Sequence, residues 1–255
     1  MADELELRPE YVFTGRLTPE NRFLLVDLPE LIVQTPELRF SVDIKVKDSR
    51  ITATVRPDVG RGTPRVSTLR DSVADCARVA VDVLGFYQGA AYYVHLEEVT
   101  GAVTERFDSR LGDLRELLVD SGVSEPEIWE LASRHGALRQ SLSDLRTSIL
   151  SPTDTPYSTF RAIESIRQYF VDRADADEQR ARRISWDRMR AALQLERWRQ
   201  GESWSKDARH GDEVYLSYDE RLAALRFAWS AVLRFCVFLR MGRDLSAGDY
   251  PLISD

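Results

Sequence analysis

The tripeptide Arg-His-Gly occurs twice in the chain, at 134–136 and at 209–211. Histidine exchanges a proton near neutral pH, and arginine carries a planar guanidinium that fits a phosphate, so both residue types suit chemistry on a phosphate group. The first copy lies inside a helical pattern, which favours a surface Arg134 and His135 beside a helix-weakening glycine. The second copy lies between two predicted helices. There Gly211 could equally provide a helix C-cap, with Arg209 and His210 at the negative end of the helix dipole.

A second candidate is a set of three arginines spaced seven residues apart, Arg183, Arg190 and Arg197. Seven residues are about two helical turns, so a helix over about 180–200 would align them on one face. Such a stripe could follow an RNA backbone. It could equally be a solvated helix face whose arginines pair with Asp187 and Glu196.

The aromatic residues and the cysteines are typical of structural roles. Tyr92 and Tyr93 could stack bases, but strand alternation turns one of them inward. Cys76 and Cys236 lie among apolar residues at helical spacing, which predicts small buried side chains in a reducing cytoplasm. The three histidines show no metal-ligand spacing, and we expect no metal and no cofactor. Core or interface anchoring is predicted for Trp186, Trp198, Trp204 and Trp229.

Composition excludes several classes of protein. The 255 residues carry a formal charge of −7, which argues against a chain that coats nucleic acid or anionic lipid with its whole surface. No apolar run reaches the roughly 18 residues that a membrane span needs, and the acidic start shows no secretory signal. These features predict a cytoplasmic protein that does not use a membrane.

Residues 1–110 have the pattern of an α+β domain. Apolar residues alternate with polar ones over 40–47 and again over 51–55, which predicts a hairpin around Asp48-Ser49. An apolar stripe at helical spacing begins at Val66, with Gly89 just beyond its end, and strand character returns at 91–99. We therefore expect an antiparallel sheet covered on one face by a helix.

The remaining sequence is helical. A connector over 111–150 includes a helix that begins after Ser124, a good N-cap, and continues to about Leu150. Residues 151–156 (SPTDTP) are a strong linker signal and predict a domain boundary. Three helices, at about 157–172, 180–200 and 218–241, then predict an all-helical bundle over 157–255. The last helix is apolar nearly all round, which is typical of a central bundle helix or of a dimer interface.

Residues 157–241 resemble the helical domain of the HEPN superfamily, especially its ApeA-like bacterial group. Three short motifs carry the resemblance: 160–167 (FRAIESIR), 186–190 (WDRMR) and 208–211 (ARHG). The resemblance implies a helical domain that is commonly a homodimer and, in active members, cuts RNA without a metal. His210 would act as general acid or base and Arg209 would hold the scissile phosphate. The RNA would also contact Lys206 and the arginine stripe.

The sequence departs from the active pattern. Active members separate the arginine from the histidine by several residues, which would place the arginine at Ser203, Trp204 or Ser205. Here Arg209 directly precedes His210, and adjacent side chains on a helix diverge by about 100°. We therefore predict a non-catalytic interaction or dimerisation protein, either a homodimer or a subunit of a larger complex, in bacterial antiviral defence or a stress response. The alternative is a metal-independent endoribonuclease.

Overall fold

The computed structural model describes residues 9–19, 25–28, 30–58, 64–107, 112–172, 177–210, 212 and 214–253. The chain forms two compact units, Met1–Arg110 and Leu111–Asp255, called here the sheet unit and the helical unit. The predicted α+β class is confirmed. The strands are β1 (Tyr11–Thr18), β2 (Leu25–Asp27), β3 (Leu31–Gln34), β4 (Arg39–Lys47), β5 (Arg50–Pro57), β6 (Tyr93–Gly101) and β7 (Glu105–Arg106). The helices are α1 (Val66–Gln88), α2 (Gly112–Ser121), α3 (Glu125–Arg134), α4 (Gly136–Leu150), α5 (Thr155–Tyr169), α6 (Glu178–Leu193), α7 (Arg199–Arg209) and α8 (Tyr218–Met241).

The predicted hairpin is present as β4 and β5, with Lys47 opposite Arg50. Asp48 and Ser49 both have positive φ, 51° and 62°, which is the backbone of a tight two-residue hairpin turn. The alternation also fixes which face is buried, because every second side chain of a strand points to the same side. On β4 the buried residues are Phe40, Val42, Ile44 and Val46.

The sheet is antiparallel in the order β2-β4-β5-β1-β6-β7, and β3 pairs with β4 beyond the end of β2. The register of β1 with β6 shifts between Thr14 and Gly15, which leaves Glu97 as an extra residue. A Cβ on Gly15 would overlap the carbonyl oxygen of His95, so this close approach needs glycine. The predicted helix α1 covers the buried face through Leu69, Val73, Ala77 and Val81.

In the helical unit α8 is the central helix and contacts α2, α3, α4, α5 and α6. It has the predicted bounds, since Ser217 and Glu220 form a capping box at its start and Gly242, at φ 64°, ends it. Among the described helices α8 is also the one long and apolar enough to cross a membrane. Its most apolar window is 56% buried within the protein, as expected for the core helix of a folded domain.

Two predicted helices are interrupted. The helix predicted from Ser124 to about Leu150 is wrong as a single element, because His135 is extended (φ −116°, ψ 105°) and separates α3 from α4. The helix predicted over about 180–200 ends at Leu193 instead. There Gln194 takes a left-handed conformation (φ 52°), and Leu195 forms a parallel bridge with Ile253. Helix α7 follows, and the sequence does not predict it.

The predicted connector belongs to the helical unit. Its helix α4 packs on α5, where the Ser141 hydroxyl donates to the Ala162 carbonyl at 2.8 Å. Residues 151–154 form a turn between these two helices. Arg221, buried at the start of α8, donates from Nη2 to the Ile149 carbonyl at 2.8 Å and from Nε to the Thr155 hydroxyl at 3.0 Å. A buried cation therefore caps the end of α4 and ties three helices together.

Candidate functional site: the basic and aromatic surfaces of the helical unit

Arg209 and His210 lie at the C-terminal end of α7. His210 is the C-cap, and its backbone N–H donates to the carbonyls of Lys206 at 3.2 Å and Asp207 at 3.0 Å. The cap interpretation therefore describes the backbone here. The sequence predicts Gly211 as the cap residue, and Gly211 lies outside the described residues.

The Arg209 side chain packs against its own helix and against α5. The Arg209 Nε donates to the Ser205 carbonyl at 3.2 Å, and its guanidinium carbon lies 5.6 Å from the centre of the Phe160 ring. His210 is exposed. Within the described residues no hydrogen bond or ring contact joins the two side chains. Arg209 is therefore held by the Ser205 carbonyl and the Phe160 ring, whereas the contacts described for His210 are those of its backbone.

Phe160 contacts both Arg209 and a cluster of aromatic rings and arginines. Its ring centroid is 5.7 Å from that of Trp186, and Trp186 lies beneath Arg167 at 5.5 Å and Arg190 at 5.9 Å. Arg167 is 5% exposed and donates from Nη1 to the Ser185 hydroxyl at 3.0 Å. Burial lowers the pKa of Arg167, which the nearby Glu164 charge opposes. This cluster fixes α5 against α6.

The tryptophans that the sequence assigns to the core do pack there. Trp198 is 7% exposed and stacks on Phe227 with ring centroids 5.0 Å apart. The cavity beside these rings measures about 20 Å³, which holds no more than a water molecule. Trp186, Trp204 and Trp229 are partly buried against the same core. The anchor role predicted for these tryptophans is therefore confirmed.

The three predicted RNA-contacting arginines do not form one stripe. Arg183 is exposed on α6, but Arg190 pairs with Asp187 at 2.6 Å. Arg197 lies beyond the end of α6 and pairs with Glu202 at 2.7 Å. The aligned stripe is therefore wrong, because the helix ends before its third member. Asp187 is a partner that the solvated-face alternative predicts, whereas Glu202 is not.

Helices α6 and α7 each carry an exposed cation in addition to the three arginines above. Arg188 on α6 and Lys206 on α7 are exposed and, like Arg183, have no ion-pair partner in the described part of the chain. Lys206 is a predicted RNA contact. The sequence does not predict Arg188 as an RNA contact, because Arg188 does not share the seven-residue spacing of the other three arginines.

The first Arg-His-Gly copy is a junction between two helices. His135 ends α3 and precedes α4, and its ring meets the edge of Tyr169 with centroids 5.9 Å apart. The helix-interior position expected for this copy is therefore wrong. Arg134 pairs with Glu130 at 2.7 Å on the surface, so the surface role predicted for the arginine is confirmed.

A groove between α3 and α4 was not predicted. Its apolar side chains are Trp129, Ala132 and Leu142, and its arginines are Arg139 and Arg146. It is an open depression with a volume of about 480 Å³. Trp129 is 72% exposed. The sequence signal is a large aromatic residue outside the apolar stripe of its own helix.

The open face of the sheet carries paired charges. Glu97 accepts from Arg16 at 2.9 Å and from Arg50 at 3.4 Å. Tyr92 is buried and donates from its hydroxyl to Gln88, whereas Tyr93 is 56% exposed. Alternation therefore turns one tyrosine inward, as predicted.

Among the described residues no three His, Cys, Asp or Glu side chains come together in a way that could hold a metal ion. Cys76 and Cys236 are free thiols; Cys236 is buried as predicted, whereas Cys76 is only half-buried. Burial raises the pKa of Cys76 to about 11 and that of Cys236 to about 12.

Fold and surfaces together define a two-unit α+β protein whose helical unit exposes several arginines and the Trp129 ring. Residues 11–105 match the N-terminal domain of DUF8168, and residues 127–240 match its C-terminal domain, so the chain belongs to this family. Both are described as domains of unknown function, and neither description refers to HEPN proteins. No curated protein and no solved structure matches the chain significantly.

Proposed function

We propose that this chain is a non-catalytic interaction protein of the cytoplasm, in a bacterial defence or stress-response system. Its helical unit would be HEPN-like in fold and would hold a partner in a larger complex or a second copy of the chain. The sheet unit would accompany it as a structural or recognition module. Cleavage of RNA by Arg209 and His210 is the alternative activity.

The observation that carries this proposal is the structural role of Arg209 and His210 at the end of α7. Metal-independent RNA cleavage needs a proton-transfer group and a phosphate-binding cation directed at the same phosphodiester. Arg209 is instead held between Phe160 and the Ser205 carbonyl, while His210 caps α7 through its backbone. The pair therefore supports helix termination better than catalysis.

A second observation concerns the interface of a homodimer. Helix α8 was one candidate because it is apolar nearly all round, yet it is surrounded by α2 to α6 of its own chain. A homodimer would therefore use a different face. The α3–α4 groove and the α6 surface are the exposed parts of the helical unit that favour an interaction role.

The test is an assay with labelled single-stranded RNA in EDTA, using wild type, His210→Ala and Arg209→Ala. We expect no cleavage above buffer for any of the three proteins. A cleavage activity that disappears in both variants would overturn the proposal and establish the nuclease. Exposed Arg243→Ala is the matched control, since it removes an arginine from another part of the helical unit.

A further inference from the structure

The α3–α4 groove joins an exposed aromatic ring to two arginines. Trp129 faces solvent with 72% of its surface, and its one described hydrogen bond, from Nε1 to Glu125, is long at 3.5 Å. Tryptophan and arginine are the residue types that most often dominate binding energy at protein interfaces. Trp129 is therefore the most exposed tryptophan of the helical unit, whose other four tryptophans pack against its core.

The two helices present this surface at regular helical spacing. Trp129, Ala132 and Ser133 line the groove from α3 at positions i, i+3 and i+4. On α4 the lining residues Arg139, Leu142 and Arg146 follow at i, i+3 and i+7, which spans about 10 Å of helix. Leu142 lies between the two arginines along α4, and Trp129 and Ala132 line the groove from α3, so the groove suits two or three turns of an amphipathic helix.

The positive charge of the arginines in the groove favours an acidic partner. No carboxylate is among its lining residues in the described chain. The nearest acid on α4, Asp144, is 6% exposed and turned toward Arg161 at 3.4 Å and the Ser165 hydroxyl at 3.3 Å. Asp144 therefore does not neutralise Arg139 or Arg146.

One of the two arginines is held in position before any partner binds. Arg139 Nη1 donates to the carbonyls of Ala132 at 2.7 Å and Ser133 at 3.0 Å, at the C-terminal end of α3. Its Nε and Nη2 have no partner in the described residues. Arg146 is exposed and has no ion-pair partner there either. Arg139 is therefore preorganised, and neither arginine has a carboxylate partner in the described residues, which favours a ligand that brings carboxylates.

We propose that the α3–α4 groove binds an acidic amphipathic helix of a protein partner, with an apolar side chain packed on Trp129 and carboxylates on Arg139 and Arg146. This inference rests on the proposed interaction role and names the chemistry of the partner. It does not involve Arg209 or His210, so RNA cleavage would refute the proposed function without affecting peptide binding.

The test is selection of a phage-displayed library of random 16-residue peptides on the full chain, with Trp129→Ala as the counter-selection target. We expect enriched peptides with aromatic or aliphatic residues at helical spacing and Asp or Glu between them. Each should bind Trp129→Ala and Arg146→Glu at least about tenfold more weakly than wild type. Arg243→Glu, an equal charge change elsewhere on the helical unit, should bind like wild type.

Three results would overturn the proposal. The first is no enrichment beyond the counter-selection target, and the second is enrichment of basic or uncharged peptides that tolerate Arg146→Glu. The third is a pair of findings: a 20-nucleotide oligouridine RNA binds in a way that depends on Trp129, and acidic peptides do not bind. Because Trp129 and Arg146 are exposed, their variants should keep the wild-type circular dichroism spectrum and urea midpoint, which confirms that the fold is intact.

Discussion

The two units differ in how many of their exposed cations have a carboxylate partner. On the open face of the sheet, Glu97 lies between Arg16 and Arg50, and Arg56 donates to Asp43 at 2.8 Å. The hydrogen bond to Asp43 is the main cause that raises the pKa of Arg56. Most cations of this face have a carboxylate on a neighbouring strand, with Lys47 as an exposed exception.

The helical unit leaves several arginines without carboxylates. Arg146, Arg183 and Arg188 are exposed and have no ion-pair partner in the described residues. In a sheet, opposite residues lie about 5 Å apart and pair readily, whereas a helix turns each side chain about 100° from the next. Charge pairing is therefore more complete on the open face of the sheet, while several arginines of the helical unit remain available for a partner.

The largest expected effect separates the two cores. Phe13 and Phe235 are each fully buried, one in each unit, so Phe13→Ala or Phe235→Ala should lower the free energy of unfolding of its own unit by about 3–5 kcal/mol. Cys76 and Cys236 report the two units, because burial keeps both thiols protonated in the native state. Urea titrations with pulsed iodoacetamide labelling measure the urea concentration at which each thiol becomes reactive. In Phe13→Ala this concentration should fall for Cys76 and stay unchanged for Cys236.

An equal shift of both thiol transitions in either variant would contradict two independent cores. A surface control, Arg243→Ala, should move neither transition by more than about 0.5 kcal/mol.

The next effect concerns Arg221, which is buried at the start of α8. Arg221→Leu would leave the carbonyls of Ser148 and Ile149 and the hydroxyl of Thr155 without this donor. Burying unsatisfied polar groups should cost about 2–4 kcal/mol, measured as a lower urea midpoint of the Cys236 transition. A midpoint equal to that of wild type would show that these groups do not depend on Arg221.

A smaller effect tests the comparison itself. Arg56→Ala removes a paired cation of the sheet and should lower stability by about 0.5–1 kcal/mol, an effect that weakens in high salt. Arg183→Ala removes an unpaired cation of α6 and should change stability by less than about 0.5 kcal/mol. The stability of both variants is measured by urea unfolding at low and high salt. Equal losses of stability in the two variants would remove the distinction between the units.

The smallest effect is a pH dependence at the start of α3. Hydrogen bonds from Ser124, together with Arg240, lower the pKa of Glu127. A lowered pKa stabilises the fold above the ordinary glutamate value of about 4.3, and this contribution is lost as pH falls through the folded-state pKa. Glu127→Gln should therefore have a lower urea midpoint than wild type at pH 7 and the same midpoint in strong acid.

The matched control for this pH dependence is Glu116→Gln on α2, an exposed glutamate. Its midpoint should follow the wild-type curve at every pH. A difference between Glu127→Gln and wild type that grows as pH falls would contradict the capping-box explanation.

Local pattern predicts the elements whose cause is local. The β4–β5 hairpin follows from alternation and its turn, and α8 begins and ends at caps that are visible in the sequence. The end of α6 has a distant cause instead, because Gln194 is held left-handed where Leu195 pairs with Ile253. The arginine stripe is predicted incorrectly for the same reason. The groove requires the packing of α3 on α4, which helical periodicity does not provide.

The most direct measurement of the central claim is ¹⁹F NMR of protein labelled with 5-fluorotryptophan. Its five tryptophans all lie in the helical unit, and Trp129→Phe assigns the groove resonance. Titration with the strongest acidic peptide from the selection should shift the Trp129 resonance and leave that of buried Trp198 in place. An unchanged Trp129 resonance with that peptide, or a shift produced by oligouridine RNA instead, would contradict the account.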